Sequence, residues 1–324
     1  MSNNMSHVIP WTDIQLFHNL RSFAKKCPEM FPSNQKIFYR SKVKLHGSNT
    51  AVYRVGSEII CQSRTSILTS EDDYAGFAKF IESSKTYWLN IAENLVVYGE
   101  WVGPGIQDSV AVSSIPDKAF CVFAAREMGD QGRIIDEPDA LSEICKDIPG
   151  VYILPWYPMV VSIDFGLSDS DLQNEVDRIN SAVFEIEKED PWVKQTFGIS
   201  GTGEGLVFYP NIENNSYESF CNYVFKCKGE KHRVVKSSAP ATINPEIASS
   251  IKEFTSLVLT DGRLNQGAQA VGGFSKQLIG RFISWISTDL QKEVQDELEA
   301  SKLTWKQVEK ETLNSAKTWY LAKV

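Results

Sequence analysis

The sequence predicts an α+β fold: mainly antiparallel sheets with flanking helices over residues 1–240, then a small all-helical domain over residues 241–324. Two observations predict it. Short apolar runs bounded by turn residues recur from Ile37 to Phe225, the pattern of strands. After Pro240 those runs nearly vanish, and apolar residues recur at steps of three and four, the pattern of amphipathic helices. A chain of 324 residues is comfortable for two cores. The boundary is placed near 238–243, at Ser237-Ser238-Ala239-Pro240.

Ile37-Phe38-Tyr39, leading into Val43, reads as a strand. Ala51 to Val55, the turn signal Gly56-Ser57 and Glu58 to Cys61 read as a hairpin. Asp73 to Asn94 has helical spacing through Phe77, Phe80, Ile81, Trp88 and Ile91. Leu95 to Tyr98 is a buried-strand run ending at Gly99-Glu100, followed by a turn at Gly103-Pro104-Gly105. Ala119 to Ala125 is a further strand, and Asp169 to Glu187 a helix opening on an Asp/Ser cluster suited to capping. Leu206 to Tyr209 and Tyr223-Val224-Phe225 are two more strands. In the tail, Phe282, Trp285, Ile286, Leu290, Val294 and Leu298 define one helix, and Trp305, Val308, Ala316, Trp319 and Tyr320 another.

Composition excludes several classes. The start, Met1 to His7, lacks a basic region followed by an apolar stretch, so no secretory leader is expected. The longest apolar run, Val151 to Ile163, is broken by Pro155 and Pro158 and is too short to span a bilayer. Six cysteines at 27, 61, 121, 145, 221 and 227 form no C-x-x-C pair, which predicts reduced thiols in a cytoplasmic protein. None of the four histidines neighbours a cysteine at zinc spacing. There is no Walker A sequence, G-x-S-x-G elbow or H-E-x-x-H pair. The net charge is −8, and residues 241–324 hold ten Lys/Arg and ten Asp/Glu, so the whole deficit lies upstream. Such a balance opposes strong non-specific nucleic-acid binding, although Lys226, Lys228, Lys231, Arg233 and Lys236 cluster locally.

The chemistry centres on Lys44-Leu45-His46-Gly47-Ser48-Asn49. A lysine after a strand and before a glycine lies beside backbone that can approach a phosphate closely. It attacks phosphorus only as the neutral amine, a form that neighbouring cations favour. Lys226 and Lys228 supply two cations whose i, i+2 spacing points both to one sheet face. Glu100 suits a ribose hydroxyl. Glu204, between Gly203 and Gly205, suits a metal ion or its waters. Phe123 suits stacking on a purine, with Phe120 as a second candidate. Arg64 suits bidentate phosphate pairing. His46 suits a phosphate oxygen, and Asn49 a substrate terminus. Taken singly, each has an ordinary alternative: a solvated turn for the hexapeptide, a surface charge for Glu100, a hairpin turn for Glu204, core packing for the phenylalanines.

Jointly and in order, the segments resemble those of the covalent nucleotidyltransferases, and within them the RNA ligase 2 family of phage-type, ATP-dependent RNA ligases. The resemblance runs from about Ser41 to Arg233 and rests on Lys44 to Asn49, Gln62-Ser63-Arg64, Tyr98 to Gln107, Phe120 to Phe123, Glu204 to Val207 and Lys226-Cys227-Lys228. It departs at Ala124-Ala125, where the family often carries an acid after the aromatic. The resemblance implies a nucleotidyltransferase domain over 1–240 that uses ATP and Mg2+ or Mn2+. Lys44 would form a lysyl-AMP and pass AMP to an RNA 5′-phosphate, after which a 3′-hydroxyl would displace it. Lys226 and Lys228 would neutralise phosphate charge, and Glu204 would hold the metal. Glu100 would bind the ribose, and Phe123 and Val207 the adenine faces. Leu45 and Arg64 would complete the nucleotide contacts, with Arg64, His46 and Asn49 also serving the RNA ends. The tail lacks the strands of an oligonucleotide-binding barrel, as in that family, and Val258 to Asn265 resembles its opening helix segment. The expected partner is nicked or bridged RNA, with no membrane and a monomeric protein. An ATP-dependent DNA ligase and a non-sealing RNA-binding relative stay open as alternatives.

Overall fold

The computed structural model describes residues 7–31, 36–129, 131–168, 170–212, 215–229, 251, 254–294, 297–298 and 303–324. Its contacts divide the chain into two compact units, Met1–Ser70 with Ala75–Gly229, and Glu71–Tyr74 with Glu230–Val324. The boundary expected at 238–243 lies outside the described residues.

The first unit is built on two sheets. In chain order its elements are β1 (Gln15–Leu16), α1 (Phe17–Lys26), β2 (Lys36–Lys44), β3 (Ser48–Val55), β4 (Glu58–Ser63), β5 (Ile67–Leu68), α2 (Phe77–Ser83), α3 (Lys85–Trp88) and β6 (Leu95–Val102). There follow β7 (Ala119–Glu127), β8 (Ile134–Ile135), α4 (Pro138–Ile144), β9 (Val151–Ile153), β10 (Tyr157–Asp164), α5 (Gln173–Lys188), α6 (Pro191–Phe197), β11 (Gly205–Asn211), α7 (Tyr217–Tyr223) and β12 (Phe225–Lys228). One sheet runs β1-β12-β11-β2-β10, and the other β5-β4-β3-β6-β7-β8 with β9 beside β7. Only the β1/β12 and β7/β9 pairs are parallel. The chain changes sheet between β2 and β3, so the hexapeptide from Lys44 to Asn49 is the crossing itself. The expected hairpin forms as β3–β4, with Val55 opposite Glu58. Buried side chains from both sheets make one apolar core, including Tyr39, Val43, Leu45, Tyr98, Phe123, Leu206, Phe208 and Phe225.

Several expected elements differ: α5 starts at Gln173 with no side-chain cap from the Asp/Ser cluster before it, and the helix expected through Leu298 ends at Glu293. The helix over Asp73 to Asn94 is two short ones. Ala75 and Gly76 both have positive φ, 50° and 83°, which delays the start to Phe77. Ser84 then breaks the run: its hydroxyl donates to the Phe80 carbonyl at 2.9 Å and accepts from Trp88 Nε1 at 3.0 Å. The strand ending at Gly99-Glu100 continues to Val102, with a register shift at Tyr98/Gly99, so Glu100 lies inside it. Tyr223 ends a helix rather than opening a strand. The Ser216 hydroxyl accepts from Ser219 N and starts that helix, a cap that an apolar triplet does not reveal.

The described second unit is helical. It contains α8 (Asp261–Ala270), α9 (Ile279–Glu293) and α10 (Trp305–Leu321). Thr260 caps α8, so Val258 to Asn265 is not one continuous helix. Thr304 and Gln307 form a capping box on α10. Phe282, Ile286 and Leu290 of α9 pack with Leu264, Ala268, Val308, Ala316 and Tyr320 in a separate core. Among the described residues, no helix is long and apolar enough to cross a membrane. All six cysteines are unbridged thiols.

Gly205 fixes the strand arrangement around the functional residues. Its φ is +150°, and a Cβ there would lie 2.1 Å from the Cys227 carbonyl oxygen. Gly205→Ala is therefore expected to destabilise the first unit by at least about 2 kcal/mol, read as a lowered urea midpoint with an unchanged slope.

Candidate active site

The site is assembled where three strands meet. Gly205 opens β11 and faces Lys44 of β2 on one side and Lys228 of β12 on the other. Glu204, the residue before it, is only 2% exposed. Its carboxylate accepts a 2.6 Å hydrogen bond from Lys44 Nζ through Oε2. His46 Nδ1 lies 3.4 Å from the same oxygen, and Lys228 Nζ lies 3.5 Å from Oε1. Burial works to raise this carboxyl. Lys44, then His46 and Lys228, more than offset that and hold it well below its ordinary value of 4.5. The expectation of cations nearest the nucleophile is thus modified. The nearest charged neighbour of the Lys44 amine is a carboxylate, and Lys228 sits on that carboxylate's far oxygen.

A second carboxylate lies alongside. Glu100 on β6 pairs across the ladder with Asn49 on β3, whose side chain hydrogen-bonds it. Burial raises Glu100 to about 7. Lys44 opposes the rise, Glu204 adds to it, and Asn49 and Arg64 oppose it. The two carboxylates therefore differ for a physical reason: Glu204 has Lys44 and Lys228 at ion-pair distance with His46 beside it, while at Glu100 burial and the Glu204 charge outweigh Lys44 and Arg64. Gly47 allows the crossing to pass this close. A Cβ on it would meet the Trp101 carbonyl at 2.7 Å and Glu100 Oε2 at 3.2 Å.

Phe120 and Phe123 lie in different surroundings. Phe120 is fully buried against Phe77 and Trp88 and belongs to the packing on its own side of the second sheet. Phe123 faces the core between the sheets, 7% exposed, with the Trp11 ring edge-on to it at 5.3 Å. Val207 is likewise 7% exposed and pairs across the ladder with both Lys42 and Lys226. Leu45 is 2% exposed and packed in the core. Arg64, just beyond β4, forms an ion pair with Asp13.

Several roles were not visible in the motifs, although Gln62 and Tyr98 both lie within them. Gln62 is buried and clamps the N-terminal segment, accepting from Ile9 N at 2.9 Å and donating to the Ile9 carbonyl at 3.0 Å. Tyr98 donates to the same carbonyl at 2.9 Å. This clamp holds Trp11 against Phe123. Lys42 was also passed over, although the i, i+2 argument applied to Lys226 and Lys228 puts Lys42 on the face of Lys44. Among the described residues, no three His, Cys, Asp or Glu side chains form a cage for a metal ion.

Lys44, at the end of β2, is thus held to a buried carboxylate and flanked through β11 by a lysine-bearing strand. The sequence comparison agrees: residues 39–228 match the family described as RNA ligase, and the chain belongs to that family. No curated protein matches it. Solved structures similar to it include the Naegleria gruberi RNA ligase with PPi, at 20% identity and a TM-score of 0.44, covering 72% of this chain and 61% of that one. A variant of the same ligase with ATP and Mn shares 19% identity at a TM-score of 0.45, covering 70% and 58%. This chain therefore spans about three-fifths of the length of those ligases.

Two outcomes follow from the paired carboxylates. Glu204 is held low, so its stabilisation is present above about 4.5 and is lost as pH falls through the depressed value. Glu204→Gln should cost about 1–3 kcal/mol at neutral pH, a gap that narrows on acidification in urea titrations. Glu100 is held high, so its carboxyl favours the folded state below about 4.5 and loses that contribution as pH rises through about 7. Glu100→Gln should accordingly raise the melting temperature at alkaline pH, by an amount worth roughly 1–2 kcal/mol after solvent screening, and change it little in acid.

Proposed function

We propose that this protein is an ATP-dependent RNA ligase that joins 5′-phosphate and 3′-hydroxyl ends, sealing nicks in duplex or bridged RNA. The observation that carries the proposal is the level alignment of Lys44, Gly205 and Lys228 across three strands, with the Glu204 carboxylate between the two amines.

Lys44 Nζ is the nucleophile toward the ATP α-phosphate. In the resting geometry it donates to Glu204, so its attack requires that this hydrogen bond be given up first. Lys228 and Lys226 offset charge on the phosphates as pyrophosphate leaves. Phe123 and Val207 line the two sides of the adenine site, and Glu100 accepts from the ribose. The donor set fits a divalent cation that arrives with the nucleotide: Glu204 offers carboxylate oxygen, and phosphates supply the remainder, the usual manner for Mg2+ and open equally to Mn2+. Such an ion would neutralise triphosphate charge and compete with Lys44 for Glu204. His46 and Asn49 lie on the crossing beside Lys44 and serve the later steps at the RNA ends. Arg64 reaches a terminal phosphate once it exchanges Asp13 for it. The overall charge of −8 suits a protein that grips RNA locally rather than along a broad basic face.

The test is direct. Incubated with α-phosphate-labelled ATP and Mg2+ or Mn2+, the protein should carry label through a denaturing gel. Lys44→Ala should lose it by at least about a thousandfold. Nicked duplexes that differ only in an RNA or DNA 3′-hydroxyl strand should then be sealed with preference for RNA, through the 2′-hydroxyl. Label that persists in Lys44→Ala overturns the proposal, and preference for the DNA strand replaces it with a DNA ligase.

A further inference from the structure

Lys42 is a lysine where the fold should not tolerate one. It lies in the middle of β2, is 1% exposed, and is the only lysine among the described residues that is buried. Burying an ammonium costs several kcal/mol unless it is compensated, so such a group is retained for a reason. Its compensation is specific. Nζ donates a 2.8 Å hydrogen bond to the backbone carbonyl of Phe123, which belongs to β7 in the other sheet. The same nitrogen lies 4.7 Å from the Trp156 ring centre and 5.5 Å from that of Tyr209. Across the ladder, Lys42 stands opposite Val207. One residue therefore links the two sheets at both sides of the proposed adenine site: its side chain bonds the Phe123 backbone, and its backbone is the ladder partner of Val207.

We propose that Lys42 is a positioning residue for purine binding, its ammonium fixing the Phe123 backbone and so setting the gap between Phe123 and Val207. The proposal rests on the reading of this site as a nucleotide site. It adds a residue two positions before the nucleophile that acts through Phe123, not on the phosphates. The hydrogen bond is charge-assisted and drawn to a main-chain oxygen, so it resists displacement. Trp11, packed against the Phe123 ring, restrains the same residue from its side-chain end.

The charged groups facing Lys42 come from two segments: Arg40 on its own strand, and Asp136 and Glu137 between β8 and α4; the rings of Trp156 and Tyr209 face it as well. Burial pushes Lys42 down to about 7, with Asp136 and Glu137 opposing and Arg40 adding to the fall. Arg40 pairs with Glu137, and Trp156 Nε1 donates to Glu137 at 2.9 Å, so this surround is itself tied together. The positioning bond is therefore fully charge-assisted in mild acid and loses that assistance as pH rises through about 7.

The experiment uses the full chain and labelled ATP, reading self-labelling against ATP concentration at about pH 6.5 and about pH 8.5, with thermal melts alongside. Wild type must label; if it does not, the nucleotide-site reading falls and this inference with it. In Lys42→Met the half-saturating ATP concentration should rise about tenfold at the lower pH, with the saturating rate held within about twofold, and the excess should shrink at the higher pH. Lys42→Arg keeps its charge and should restore binding to within about threefold of wild type, without the pH step. A folded Lys42→Met with unchanged half-saturation overturns the proposal, as does a loss confined to the saturating rate. If Lys42→Met does not fold, the ratio of wild-type to Lys42→Arg half-saturation decides: a ratio that rises between the two pH values supports it, and a constant ratio overturns it.

Discussion

The buried carboxylate of Glu204 holds the functional centre together. A carboxylate at 2% exposure is costly unless its charge is answered, and here the answer comes from Lys44, His46 and Lys228. Those residues lie on different segments: the end of β2, the crossing after it, and β12. One side chain at the entrance to β11 thereby ties in a segment 160 positions earlier. The cluster is also a store of exchangeable contacts. Phosphates or a cation entering it would substitute for partners already present instead of meeting solvent, so ligand entry redistributes charge without first having to assemble the residues.

The second constraint is the passage of the chain between sheets. β2 and β3 are consecutive yet belong to different sheets. The segment between them must turn sharply while anchored, and it does so by burying Leu45 and by running Gly47 against the Trp101 carbonyl. Leu45 thus acts as an anchor, and its neighbours Lys44 and His46 are left to face the carboxylate. Between the sheets, Lys42 reaches from β2 to the Phe123 backbone on β7.

Much of this was legible in the sequence because the motifs are local. The strand ending at Lys44 and the one that follows Glu204 are read from short apolar runs, and i, i+2 spacing gives the Lys226–Lys228 pair a shared face. Sheet membership was not legible. Nothing local distinguishes β2 from β3 as members of different sheets, since each is an ordinary half-apolar run. The different surroundings of Phe120 and Phe123 were hidden for the same reason: which face of β7 looks toward the first sheet depends on what packs on the other. Gln62 matched a motif as a neighbour of Arg64, yet its contacts are to Ile9, more than fifty positions away. Lys42 escaped notice because a lysine between apolar residues looks like a solvated strand position until its burial is known. The helix over Asp73 to Asn94 failed for a local cause, the positive φ at Ala75 and Gly76, which apolar spacing does not encode.

The alignment of Lys44 and Lys228 about Gly205 limits how this protein can vary in length. Side chains alternate along a strand, so losing or gaining a single residue within β11 would turn half of that strand inside out and put the two amines on different levels. Length changes are harmless to this alignment only outside the ladder, as in the Gly56-Ser57 turn. Homologous chains built on the same plan should therefore keep the number of residues from Glu204 to Phe208 constant while their surface turns differ freely.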